Sequence, residues 1–263
     1  MFVLKISRVL LILLYMPSFY AYSNDLSGAN YIKIDSRTAS NVLRDSYRNP
    51  AETLSFFRLS SDMTVIELSP GGGWYTEILA PYLKGTGKLI AVHFNPESGN
   101  YRKRSRQKFE EKIQSSDVYE EITVLNLDAI AYSPPGSVDA VLTFRNLHNW
   151  IGPQIESIFS NAYKSLRSGG LLGVVEHRAN PGTSLEEMKK SGYVTEEWAI
   201  EEAQKQGFVL VERSEINANP NDTKDHPRGV WTLPPSLVLK ELDREKYKAI
   251  GESDRMTLLF KKP

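Results

Sequence analysis

Residues 64–80 read TVIELSPGGGWYTEILA. A β-branched run ends in an acid, Glu67. Three glycines follow, Gly71, Gly72 and Gly73, and then an apolar-periodic segment that predicts a helix over 74–83. Glycines between a strand and a helix let the backbone turn tightly, come close to a ligand and offer free N–H groups at the helix start. A nucleotide-like cofactor needs that geometry at the first crossover of an open α/β sheet. Dinucleotide fingerprints carry their acid about 20 residues after the glycines, so Glu67 comes too early for one. Taken alone, the stretch also reads as an ordinary strand–turn–helix corner.

Outward from this corner the chain alternates. Strands are predicted at 64–68, 88–93, 121–126, 137–144 and 170–176, with helices over 74–83, 97–115 and 153–166 between them. Gly169-Gly170 marks the turn into the fifth strand. A helix at 195–206, Gly207 and a strand at 208–216 follow. This is the pattern of an α/β protein with a doubly wound, mostly parallel sheet. Upstream, 36–48 and 51–59 have helical spacing and are divided by Pro50, after a loose lead-in at 24–34. The last strand, near 256–261, comes after a long connection that begins at 217–235 and continues as a predicted helix at 236–249. Connections of this length are usually functional or disordered. Val230, Trp231 and Leu233 favour an ordered cap.

Among 263 residues, 41% are apolar, enough for a substantial core, and 32 basic residues balance 32 acidic ones. No net basic field draws nucleic acid or an acidic membrane. At the N-terminus, Lys5 and Arg8 precede the apolar run Val9–Met16, then Pro17 and Ala21-Tyr22-Ser23. That layout predicts a secretory signal over 1–23, cleaved after Ser23 or, second, after Ala21. The mature chain, 24–263, is then one periplasmic or secreted domain without stable membrane insertion; an uncleaved anchor is the alternative. The run is short for a bilayer span. The chain has no cysteine, so disulfides, thiolate metal sites and a lipoprotein anchor are excluded.

The glycine corner resembles the first motif of class I S-adenosylmethionine-dependent methyltransferases, E/D-x-G-x-G-x-G. Glu67, Gly71 and Gly73 fit it, and Ser69 stands at its first glycine. SLRSGGLLGVVEH, before and through the fifth strand, is similar to that family's L-x-P-G-G, with Ser168 for the proline. Over 36–263 the chain resembles a group of bacterial predicted methyltransferases, many with export signals. The resemblance implies a seven-stranded sheet with an antiparallel last strand, N-terminal helices, a cap at 217–250 and S-adenosylmethionine as cofactor. It implies cofactor contacts at Glu67, Ser69, Gly71, Gly72 and Gly73. It also implies one at the end of the second strand, where His93 replaces the usual acid, with Asn95 or Glu97 as alternatives, and one at Asp128-Ala129 after the third.

After the fourth strand, TFRNLHNWIG (143–152) resembles the L-H-D-W stretch of small-molecule O-methyltransferases, whose histidine is the general base. The role falls on His148, with Asn149 for the acid and Trp150 retained. Imidazole suits it, since its ordinary pKa near 6.5 lets it take a hydroxyl proton at neutral pH. His148, His177 and His226 all fall on the half expected to hold substrate, with Glu176, Asp222 and Asp225 beside them as orienting partners. Arg145 and Arg178 lie on the same edge and could hold an anionic group; Arg145 also counts among the cofactor contacts.

Three functions follow. The first is methyl transfer to a small-molecule acceptor, expected at oxygen, with His148 as base. The second is a non-catalytic exported ligand-binding protein on the same fold, favoured by Ser69 and His93 at expected cofactor contacts. The third is a metal-assisted enzyme built on the histidines, although no H-x-x-x-H or H-E-x-x-H spacing supports a metal and none is assigned.

Overall fold

A computed structural model describes residues 37–263. The predicted signal and lead-in lie outside the described residues. Three short helices come first: α1 (Ala39–Val42), α2 (Asp45–Arg48) and α3 (Pro50–Phe56). The continuous helix expected at 36–48 is therefore two pieces. Asn49, in the left-handed region at φ 39°, turns the chain from α2 into α3, which takes Pro50 in its first turn.

The sheet follows: β1 (Thr64–Leu68), α4 (Thr76–Leu83), β2 (Lys88–His93), α5 (Asn100–Ile113), β3 (Thr123–Asn126) and β4 (Val138–Phe144). Then come α6 (Leu147–Trp150), α7 (Gln154–Ser165), β5 (Leu166–His177), α8 (Leu185–Ser191), α9 (Glu196–Lys205), β6 (Val209–Ser214), α10 (Arg244–Ile250) and β7 (Arg255–Lys261). Strand order is β3-β2-β1-β4-β5-β7-β6. The first five strands run parallel, and β7 is antiparallel to both β5 and β6. The order reverses between β1 and β4, so the glycine corner after β1 opens at the switch point where such sheets bind ligands.

Both sheet faces are covered, and strand residues alternate between two apolar layers. Ile66, Val141, Leu172 and Leu258 pack to one side. Val65, Ala140, Leu142 and Leu259 pack to the other. Helix α7 buries Ile155, Ile158, Phe159 and Ala162, the i, i+3, i+4, i+7 stripe of a half-buried helix. Each fully buried large apolar side chain there contributes roughly 1.5–3 kcal/mol.

Two expectations need correction. Strand β5 begins at Leu166, not 170, because Leu166 pairs with Val138 ahead of an irregularity in the ladder. Gly169-Gly170 lies inside the strand. The helix expected at 236–249 shrinks to α10. Pro234 and Pro235 precede it, and Leu237, Lys240 and Asp243 all take positive φ, which breaks helical continuity.

Candidate active site

The glycine corner is a cradle. Ser69, Gly71 and Gly73 sit at φ 50°, 59° and 78°. A Cβ added at Gly71 or Gly72 would meet nothing within 4 Å, so that side of the turn is open. The Ser69 hydroxyl is buried yet has no hydrogen-bond partner among the described residues. An orphaned buried hydroxyl beside an open backbone turn fits a polar ligand. Asn146 ties this corner to the end of β4, donating to Leu68 O at 3.1 Å, Ser69 O at 3.3 Å and Thr143 Oγ1 at 3.1 Å.

Glu67 is 2% exposed and accepts from Thr76 Oγ1 at 2.6 Å. Burial raises its carboxyl from an ordinary 4.5 to about 7, against the opposing pull of Thr76 and Lys112. A buried acid held at such a value four residues before the glycine turn would gain from an incoming cation.

His93 does not take the part expected of it. Its ring is fully buried; Nδ1 accepts from Phe94 N at 2.7 Å, and Nε2 stands 3.1 Å from Gly71 O. With Nδ1 accepting, the proton is on Nε2 and is donated to Gly71. Both nitrogens are spent on bracing the turn, leaving none for a ribose hydroxyl. Asn95 is also engaged, donating to Asp128 Oδ2 at 2.8 Å and accepting from Glu97 N at 2.9 Å. Glu97 is exposed beside them. Phe94, Asn95, Leu127, Asp128, Trp150 and Ile158 help line a cleft of about 320 Å³ over the ends of β2, β3 and β4. Asp128 thus borders a cavity of cofactor scale, whereas Ala129 packs against the core and its carbonyl accepts from Asn161 at 2.9 Å.

Across the switch point, the ends of β4 and β5 bring His148, Glu176 and His177 together. The Glu176 carboxylate, fully buried, accepts from Leu147 N at 2.5 Å, His148 Nδ1 at 3.0 Å and His177 N at 2.8 Å. With Glu176 as acceptor, the His148 proton is on Nδ1 and its Nε2 lone pair accepts from the Asn149 amide at 3.0 Å, a bond that an acceptor hydroxyl would have to displace. This is the arrangement of a base oriented by a third group. His177 lies 5.4 Å from His148 ring to ring, and its Nδ1 bonds the Ser253 hydroxyl. Burial first, then the neighbouring His148 ring and the arginines Arg145, Arg255 and Arg48, push its pKa well below 6.5.

His226 stands behind this pair. It bonds Asp222 Oδ1 at 2.7 Å, and Asp222 also accepts from the Tyr193 hydroxyl at 2.9 Å, whose ring is 6.3 Å from that of His177. Among the described residues, His226 is linked to His177 through Asp222 and Tyr193. The cap meets the site through Trp231, edge-on to His148 at 6.0 Å. It is pinned there by close approach: a Cβ on Gly229 would lie 1.9 Å from Ser191 O. Arg178, expected as an anion holder, is consumed by Glu215 at 2.7 Å and Asp254 at 2.9 Å. Arg145 turns toward Glu252 at 3.9 Å and is not among the residues that line the cleft.

Ligand atoms of His148, Glu176 and His177 lie within 4.8 Å of one another. The Glu176 oxygens already accept three donors and His177 Nδ1 is taken, which leaves two imidazole nitrogens, fewer than the three protein ligands of a typical catalytic zinc site. Sequence reading missed α8, although Ser184 and Glu187 form a capping box that spells its start. It also missed Arg44, Arg48, Glu252 and Arg255, which only the fold brings together.

A family model described as a methyltransferase domain matches residues 66–190. No curated protein matches the chain. Among solved structures, a SAM-dependent methyltransferase from Aquifex aeolicus is 14% identical, with a TM-score of 0.57, covering 84% of this chain and 93% of that one. A geranyl diphosphate methyltransferase in complex with SAM is 11% identical, with a TM-score of 0.57, covering 89% and 94%. The [4+2]-cyclase SpnF is 13% identical, with a TM-score of 0.60, covering 88% and 86%. Residues 66–190 thus match a methyltransferase-domain family, and the strand order is that of the class I S-adenosylmethionine-dependent methyltransferase fold. Since a cyclase shares the architecture, the reaction has to be argued from the site.

Proposed function

We propose that the chain transfers a methyl group to an oxygen of a small-molecule acceptor, with His148 as general base. S-adenosylmethionine, when bound, supplies an electrophilic methyl group. The residues that would hold it are the open Gly71–Gly72 backbone, the unpartnered Ser69 hydroxyl, the buried Glu67 carboxyl and the cleft beside Asp128. His148 Nε2 takes the acceptor proton, and the Glu176 carboxylate, bonded to Nδ1 at 3.0 Å, fixes the tautomer and stabilises the imidazolium that forms. Trp231 and the cap shield this base from water. Proximity and orientation supply most of the remaining rate enhancement.

The observation that carries this reading is the His148–Glu176 dyad, held at the switch point beside the glycine corner. The test is methyl incorporation from labelled S-adenosylmethionine across a panel of hydroxyl acceptors. His148→Ala should abolish transfer and leave cofactor affinity nearly unchanged; equal loss of both would make His148 structural. The pattern of Lys5, Arg8, Val9–Met16 and Ala21-Tyr22-Ser23 supports export as part of the same proposal. N-terminal sequencing of the secreted or periplasmic protein should begin at Asn24; an intact Met1 would contradict it. No helix among the described residues is long and apolar enough to cross a membrane.

A further inference from the structure

Beside the histidines, the fold gathers four arginines around one carboxylate. Arg44 and Arg48 come from the N-terminal helices, Arg145 from the end of β4, and Glu252 and Arg255 from the entry to β7. Glu252 Oε1 accepts from Arg44 Nε at 2.6 Å, and Oε2 lies 3.2 Å from Arg48 Nε, 3.4 Å from Arg255 and 3.9 Å from Arg145. The next acid along the chain, Asp254, is already taken by Arg178 at 2.9 Å and Lys224 at 2.8 Å.

Four guanidiniums against one carboxylate leave a surplus of three positive charges. The Arg48 side chain is 1% exposed, stacked 4.6 Å over Trp74, and neither of its terminal nitrogens has a hydrogen-bond partner among the described residues. Arg44 Nη2 is in the same condition. Arg48 shares its one carboxylate, Glu252, with three other arginines, and buried guanidinium nitrogens left unsatisfied are costly, so their retention argues for an anion that arrives. Arg145 and Arg44 keep 23% and 22% of their side chains exposed, which gives the cluster a route to solvent.

Position links the cluster to the reaction site. Arg255 is the register partner of His177 across β5 and β7, so the two side chains share one sheet face. Tyr75, two residues past the glycines, stacks on Phe144 with ring centroids 3.5 Å apart and reaches Arg48 O at 3.4 Å. Burial, then Arg255 and Arg44, bring the Arg145 guanidinium down to about 10, with Glu252 opposing.

The geometry points to an oxyanion site formed by Arg44, Arg48, Arg145 and Arg255, which holds a phosphate or diphosphate group of the acceptor next to His148. Planar guanidiniums with free nitrogens suit multiply charged oxyanions, and a surplus of three charges exceeds what a carboxylate neutralises. The anion site stands on its own geometry; its service to the acceptor rests on the methyl-transfer reading.

The probes are inorganic pyrophosphate, inorganic phosphate and acetate, titrated calorimetrically into the folded chain, with melting temperature followed in parallel. Pyrophosphate should bind saturably, one per chain, more tightly than phosphate and far more tightly than acetate. Arg145→Gln should weaken it roughly tenfold or more, the loss of one charge-assisted pair. Arg48→Met should abolish binding and melt no lower than wild type without anion, because it removes a buried charge with two unsatisfied nitrogens while Glu252 keeps Arg44, Arg145 and Arg255. A purely structural Arg48 would give a lower melting temperature instead and overturn the assignment. So would an absence of saturable pyrophosphate binding at millimolar concentration, or unchanged affinity in Arg145→Gln. Parallel titration with S-adenosylmethionine separates the two claims. Anion binding without cofactor binding overturns the acceptor role, and cofactor binding without anion binding overturns the oxyanion site alone.

Discussion

Replacing Glu67 with glutamine should make the ligand-free protein more stable at neutral and alkaline pH. The carboxyl is 2% exposed, and burial raises it from 4.5 to about 7 in the folded chain. Below pH 4.5 it is protonated both folded and unfolded, and it carries no penalty. Between 4.5 and 7 the unfolded chain releases the proton while the folded chain keeps it, so stability falls as pH rises. Above 7 the whole penalty is present. At about 1.36 kcal/mol per pH unit, the interval of 7 − 4.5 = 2.5 corresponds to about 3 kcal/mol. Glutamine retains an acceptor for Thr76 and does not titrate. His93 and His177, both lowered below 6.5, impose the opposite slope, with stability lost as pH falls below that value. The assay therefore has to be differential: guanidinium denaturation of wild type and Glu67→Gln across that range. The gap between them should open from near zero in acid to about 3 kcal/mol above pH 7. Saturating S-adenosylmethionine should narrow it by giving the carboxylate a cation. Parallel pH curves, or a less stable variant at high pH, would refute the account of Glu67 as a strained, ligand-ready acid.

Other outcomes follow from the site. Glu176→Gln should lower methyl transfer by roughly 10²–10⁴-fold, the span of general-base catalysis, with cofactor affinity intact; loss of cofactor affinity would count against an orienting role. Gly71→Val should cost the fold roughly 1–2 kcal/mol for a side chain at φ 59° yet remove cofactor binding, and retained binding would take the corner out of the site. Gly73→Val should be worse for folding, since its Cβ would sit 3.1 Å from Lys112 and 3.3 Å from Phe109; a higher melting temperature than Gly71→Val would contradict this. Elemental analysis of chelator-free protein should find no stoichiometric metal at His148 and His177, and one equivalent would revive metal-assisted chemistry.

The sheet was legible because its signals are local. TVIEL alternates between two apolar layers, the glycines mark the turn, and α7 repeats its apolar stripe at helical spacing. The positions of the glycine corner after β1 and of His148 after β4 could be read for the same reason. Misreadings arose where neighbours distant in sequence decide the outcome. His93 is at the right strand end, but Gly71 O and Phe94 N claim its nitrogens. Arg178 looked free until Glu215 and Asp254 folded onto it. The arginine cluster had no signal at all, since Arg44 and Glu252 meet only through the packing of the N-terminal helices against the β7 entry.

Calorimetric titration of the folded chain with S-adenosylhomocysteine, the demethylated product, bears most directly on whether this corner holds the nucleoside. Saturable binding at one equivalent, lost in Gly71→Val and weakened in Glu67→Gln, is the predicted result. Absence of saturable heat at millimolar ligand from protein whose melting transition is intact would contradict it.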